Sequence, residues 1–80
     1  MINLIFEYRG SKVNIIALED SPINETINKF LKKIGKPELI NNYRTKMKFL
    51  WDIKELDYSK NVKDIDPLIS HTHFNIVVID

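Results

Sequence analysis

Two groupings in this chain have spacings that could carry chemistry. His71 and His73 form a His-x-His. On a strand, alternation puts both imidazoles on one face, the disposition of some metal sites. The chain has no cysteine, and sequence places no carboxylate beside the pair, so the expectation is ordinary polar residues and no metal. Asp64 and Asp66 have the spacing of paired carboxylates, but capping of a turn or short helix is the expected role. No serine sits in a recognisable nucleophile setting. With only two glycines, a phosphate-cradling loop of familiar type is ruled out. These residues predict a protein without enzymatic activity or a cofactor.

Charge points the same way. The net charge of +1 hides a basic middle, since residues 29–48 carry seven Lys or Arg against one Glu. Nucleic-acid binding would need aromatic interleaving or a motif, and only Tyr43 and Phe49 lie nearby. A solvated helix face followed by a loop is expected, with no nucleic acid among the partners. No apolar run approaches the roughly 18–20 residues that span a bilayer, so no membrane contact is expected. The alternating start Met1-Ile2-Asn3-Leu4-Ile5-Phe6-Glu7 lacks the apolar block of a signal peptide. Absence of cysteine fits a reducing compartment, and the expected location is cytoplasmic or nuclear.

Eighty residues allow one domain, spanning 1–80. Ile2, Leu4, Phe6 and Tyr8 alternate with Asn3, Ile5, Glu7 and Arg9, the period of a strand with one buried face. Gly10-Ser11 breaks the run, and Lys12 to Leu18 resumes it, which predicts a hairpin. In that second strand Val13, Ile15 and Ala17 compete with Ile16 and Leu18 for the core. Ser21 then suits a helix cap and Pro22 a first helical position. Ile23, Ile27, Phe30, Leu31 and Ile34 make one apolar stripe, and Gly35 is expected to end the helix in the left-handed conformation. Residues 36–45 read as irregular, with one turn of helix around Glu38–Asn41. Met47, Phe49 and Trp51 alternate as a third strand, with Trp51 in core or rim packing. Leu56 and Val62 are isolated apolar anchors, and Phe74, Ile76 and Val78 mark a final strand. The result is an α+β roll of order β-β-α-β-β, one helix covering one sheet face. Ile5, Leu50, Val77 and Ile79 are out of phase with the buried set, as is Ile15 if the second strand turns the other way. They form an apolar cluster on the face that should be polar.

Several segments, in this order and spacing, resemble the ubiquitin-like family over almost the whole chain. Thr26-Ile27-Asn28-Lys29-Phe30-Leu31-Lys32-Lys33-Ile34-Gly35 is similar to the family's Thr-Ile-x-x-Val-x-x-Lys-Ile ahead of a glycine. Lys48-Phe49-Leu50-Trp51-Asp52-Ile53-Lys54-Glu55-Leu56-Asp57 resembles Arg-Leu-Ile-Phe-Ala-Gly-Lys-Gln-Leu-Glu. Val62-Lys63-Asp64-Ile65 resembles Leu-Ser-Asp-Tyr, and Thr72 to Val78 resembles the last strand. The resemblance implies a β-grasp fold whose mixed sheet has its first and last strands central and parallel. It implies a non-enzymatic role in the ubiquitin pathway, that of being recognised by receptors, conjugating enzymes or the proteasome, with ubiquitin-receptor-type domains as the expected protein partners. Position by position, Leu50 and Val77 stand for the patch isoleucine and valine, Asn75 replaces the histidine, and Lys48 keeps the flanking base. Ile5 and Ile79 border them. The turn leucine falls near Arg9 and is missing, and Lys54 falls where a chain-forming lysine sits.

The chain departs from the family in three places. It ends Ile76-Val77-Val78-Ile79-Asp80 without a di-glycine, so as it stands it is not expected to be conjugated. The stretch between Gly35 and Met47 is longer than the family's, and Ile53 replaces the glycine of the third-strand turn. The leading expectation is a monomeric interaction domain recognised through Leu50, Val77, Asn75, Lys48, Ile5 and Ile79. A second is an assembly module resembling PB1 domains, its basic 29–48 segment meeting Asp57, Asp64 and Asp66 of another copy. A third is a modifier precursor whose tail has been removed or is encoded downstream.

Overall fold

Two-residue alternation and one helical stripe suffice to sort this chain into a sheet and its cover. The computed structural model describes residues 1–66 and 73–80. Its elements are β1 (Ile2–Tyr8), β2 (Ser11–Ala17), α1 (Ile23–Lys33), α2 (Tyr43–Lys46), β3 (Lys48–Trp51), β4 (Lys54–Glu55) and β5 (His73–Ile79). They form one sheet of order β2-β1-β5-β3-β4. β1 pairs antiparallel with β2 and parallel with β5, and β3 is antiparallel to both β5 and β4. The expected mixed sheet with parallel first and last strands is therefore present.

Residues Ile2, Leu4, Phe6 and Tyr8 are buried, as their period requires. Ile15 and Ala17 join them from β2, which turns Ile16 and Leu18 out to solvent. Phe6, Phe30, Phe49 and Phe74 are all essentially inaccessible. Phe30 stacks on Phe6 with centroids 4.5 Å apart, and Phe49 meets both rings edge-on. Such geometry adds roughly 0.5–1.5 kcal/mol per pair beyond the area buried. Ile23, Ile27, Phe30 and Leu31 supply the helix side of this core, while Ile34 is only partly covered. Leu56 and Val62 are buried as isolated anchors.

The end of α1 is a Schellman motif. Gly35, at φ +77°, lets its N–H donate to the Lys32 carbonyl (3.2 Å) and the Lys36 N–H donate to the Leu31 carbonyl (2.8 Å). Beside that end, Lys33 Nζ donates to the Asn14 carbonyl of β2 (3.2 Å).

The helix start differs from expectation. α1 begins at Ile23, Pro22 is its cap residue, and no side chain caps it. The Ile23 N–H donates instead to the Lys60 carbonyl (3.0 Å), and the Val62 N–H donates to the Ser21 carbonyl (2.8 Å). A segment almost forty positions away satisfies the backbone, so Ser21 is not needed as a local cap. Asp64 does cap, accepting from the Asn61 N–H (3.1 Å) at the short 3₁₀ turn Val62–Asp64.

Two elements fall inside the stretches read as irregular. α2 buries Tyr43, whose hydroxyl donates to Asn24 Oδ1. The expected turn near Glu38 is a 3₁₀ turn at Pro37–Leu39. β4 extends the sheet by pairing with Leu50 and Trp51. The β3–β4 turn holds Asp52 at φ 51° and Ile53 at φ 63°, the left-handed pair that hairpins of this length usually fill with Asn-Gly. An L residue in this region costs roughly 1–2 kcal/mol, and a β-branched one is an outlier. Ile53 is 93% exposed, so packing returns nothing. Ile53→Gly should stabilise by about 0.5–1 kcal/mol after the entropy of the unfolded glycine is counted. Thermal melting should then rise by about 2–8 °C; an unchanged or lower midpoint would contradict this turn geometry.

Candidate protein-interaction surface

Sheet register fixes which side chains share the face turned away from α1, because directly paired residues project to the same side. Leu50 lies opposite Val77 and Lys48 opposite Ile79 on β3 and β5. Ile5 lies opposite Asn75 on β1 and β5, and Glu7 opposite Val77. All six residues singled out in the sequence thus occupy one face as near neighbours. Val77 is 43% and Ile79 48% exposed, Leu50 and Ile5 are half-covered, and Asn75 and Lys48 are open to solvent. Sequence reasoning missed Ile16, which pairs with Asn3 on the same face and is 61% exposed. The adjacent Ile15 and Ile16 made the phase of β2 ambiguous until Ile15 was seen to fill the core.

Bases border one end of this surface. Arg44, Lys46 and Lys48 line a cavity of about 310 Å³ together with Ile79. Arg9 and Lys12 line another of about 310 Å³ against Val77 and Glu7. Arg9 has φ 49° in the β1–β2 turn. Its guanidinium binds Asp80 at 2.6 Å, and the Tyr8 hydroxyl donates to the same carboxylate at 3.0 Å. These hydrogen bonds hold the Asp80 carboxyl below its ordinary range. Lys54 is exposed on β4 opposite Trp51.

Behind β3 a second polar set serves structure. Burial, and then its hydrogen bond to Glu55 (2.6 Å), keeps the Tyr58 phenol protonated well above the usual range. The Arg44 guanidinium lies 5.1 Å from the Tyr58 ring centroid. Asp57, Asp64 and Asp66 line one cleft of about 370 Å³ with Asp52, Glu55 and Trp51.

His73 is exposed beside Asn3 on the open face, whereas His71 and the His-x-His pairing lie outside the described residues. Among the described residues, no group of three or more His, Cys, Asp or Glu is placed to hold a metal ion. Nor, among the described residues, is any helix long and apolar enough to cross a membrane.

No family model matches the chain, and no curated protein matches it. Among solved structures it is similar to ATBAG1, described in a crystal structure in complex with HSP70, with a TM-score of 0.71 at 16% identity. That similarity covers all of this chain and 40% of the other, so this chain spans well under half of that protein's length. At this identity the likeness speaks for architecture, and it does so plainly: the fold is the α+β, ubiquitin-like β-grasp roll.

Proposed function

We propose that this chain is a ubiquitin-like protein-interaction domain without enzymatic activity, recognised through the open face of its sheet. The observation that carries the reading is the cross-strand pair of half-covered Leu50 and exposed Val77, with Ile79 and Lys48 beside it, on the side opposite α1. Apolar side chains with a polar and basic border are the composition of a small recognition patch. Lys48 contributes to encounter rate more than to affinity. Ile5 and Asn75 widen the patch. The complex in which ATBAG1 was solved supports protein partners in general. Receptors of the ubiquitin type are the expected class, met by a monomer in the cytoplasm or nucleus.

Leu50→Asp and Val77→Asp should each abolish capture of a partner recovered with the wild type, while melting stays within a few degrees. Affinity capture paired with circular dichroism measures both. A collapse of stability would place these side chains in the core, and undiminished capture would remove the patch from the reading.

A specific observation favours an assembly module as the second reading, namely the cleft that gathers Asp57, Asp64 and Asp66. It ranks below the first because much of that charge serves the fold. Asp57 accepts from the Ser59 N–H and hydroxyl, Asp64 caps Asn61, and Lys54 and Lys60 line the same cleft. Self-association weakened by salt, seen by light scattering, would promote it.

A further inference from the structure

α2 lies in the stretch between Gly35 and Met47 that exceeds the family's length, and it brings charge to one end of the sheet. Arg44 and Lys46 belong to α2, and Lys48 opens β3. All three are exposed, and together with Thr45, Met47, Ile79 and Asp80 they line one cavity of about 310 Å³.

The fold does not neutralise these bases. Among the described residues the ion pairs are Arg9–Asp80 and Lys63–Asp20, and neither involves Arg44, Lys46 or Lys48. Asp80 is the acid of the same cavity, but Arg9 holds it at 2.6 Å and the Tyr8 hydroxyl donates to it at 3.0 Å. Its charge is already matched. The Thr45 hydroxyl donates to the Asn42 carbonyl (2.8 Å), so the donors left for a ligand are the three cations. Like charges around one cavity repel, and an anion among them removes that repulsion.

Arg44 is also held in place. Its guanidinium donates to Asn24 Oδ1 (3.1 Å) and lies 5.1 Å from the Tyr58 ring centroid and 5.9 Å from that of Tyr43. A guanidinium has five N–H donors, so the bond to Asn24 leaves others free. A cation fixed in advance loses little freedom when a ligand arrives.

Charge and shape select the anion. A carboxylate carries one charge on two oxygens, whereas a phosphate monoester carries about −1.5 to −2 and three acceptor oxygens. Three cations around one cavity match the phosphate. A nucleic-acid strand would need a track of bases and free rings for stacking. Here Tyr43 is buried and the Arg44 guanidinium covers the Tyr58 ring. Half-exposed Ile79 lines the same cavity and gives an apolar neighbour of the phosphate something to contact, which a free ion cannot use.

We propose that the cavity formed by Arg44, Lys46 and Lys48 binds the phosphate of a phosphorylated serine or threonine on a partner polypeptide. The site goes beyond the Leu50–Val77 reading and does not require it; Lys48 is common to both.

The test titrates isotopically labelled protein by NMR with a short peptide carrying leucine on either side of a phosphoserine. Its serine and glutamate counterparts and inorganic phosphate are titrated in parallel. The phosphopeptide should shift the amides of Arg44, Lys46, Lys48 and Ile79, and the serine peptide should leave them in place. Lys46→Gln should weaken binding about tenfold or more with melting unchanged. Arg44→Gln should weaken it at least as far, but it also removes the Asn24 and Tyr58 contacts, so Lys46→Gln decides. Replacing Lys29 and Lys32 on the outer side of α1 by glutamine should change affinity by about twofold at most at physiological ionic strength. A loss there equal to that of Lys46→Gln would reduce the effect to general attraction by a basic surface and overturn the site. A glutamate peptide binding as tightly as the phosphopeptide overturns the choice of phosphate. Inorganic phosphate binding as tightly assigns the cavity to the free ion and overturns the polypeptide as its source. No shift at these four amides with the phosphopeptide overturns the proposal outright, while partner capture by Leu50→Asp still judges the recognition surface by itself.

Discussion

Phe30→Ala is expected to remove about 3–5 kcal/mol of folding stability, the largest loss of any single truncation considered for this domain. The ring is fully buried, stacked on Phe6 at 4.5 Å, and approached edge-on by Phe49 at 5.8 Å and Tyr8 at 5.9 Å. Truncating a core phenylalanine to alanine costs about 3–5 kcal/mol, from lost transfer energy and the cavity left behind. An 80-residue domain holds only about 4–12 kcal/mol in total. Among the described residues, no other helix of comparable length covers this face of the sheet, so little can shift to fill the gap. Urea denaturation followed by Trp51 fluorescence measures the loss. Phe30→Leu, which keeps much of the volume, should retain most of the stability. A loss below about 1 kcal/mol for the alanine variant would mean the aromatic cluster is not where α1 meets the sheet.

Val62→Asp should be nearly as damaging, although the residue belongs to a loop. Val62 is fully buried, and its N–H donates to Ser21 while Lys60 caps the Ile23 N–H. A carboxylate at this position is desolvated without a partner, at a cost of several kcal/mol. The effect should also be local before it is global. Hydrogen exchange at Ile23 and Val62 should accelerate first, because the loop carries the hydrogen bonds that begin α1. Val62→Ala should lose only about 1–2 kcal/mol and keep those two amides protected. Equal exchange in both variants would show that the helix start does not depend on this anchor.

The same loop explains what could be read from the sequence and what could not. α1 was legible from Ile23, Ile27, Phe30 and Leu31, and its end from Gly35, because those signals are local. Its beginning was misplaced, because the satisfying carbonyl belongs to Lys60 and no short-range rule reaches that far. β4 was illegible for a related reason. Lys54 and Glu55 carry no strand pattern, and only pairing with β3 makes them a strand. Tyr43 sits among polar residues, and nothing nearby announces that Asn24 will accept its hydroxyl. On the open face, phase alone separated Ile5, Leu50, Val77 and Ile79 from the core, since each alternates with an unambiguous core residue. Ile16 escaped because its neighbour is another isoleucine.

β2 is the outermost strand on its side of the sheet, and an outermost strand of seven residues offers its free backbone to any unpaired chain nearby. The ammonium of Lys33 already occupies the Asn14 carbonyl midway along it. A second molecule growing onto that border would have to strip away a cation at the centre of the new ladder. Crowded copies of this protein therefore meet a rim with a cation posted at its middle, the kind of charge that opposes edge-to-edge growth into fibres.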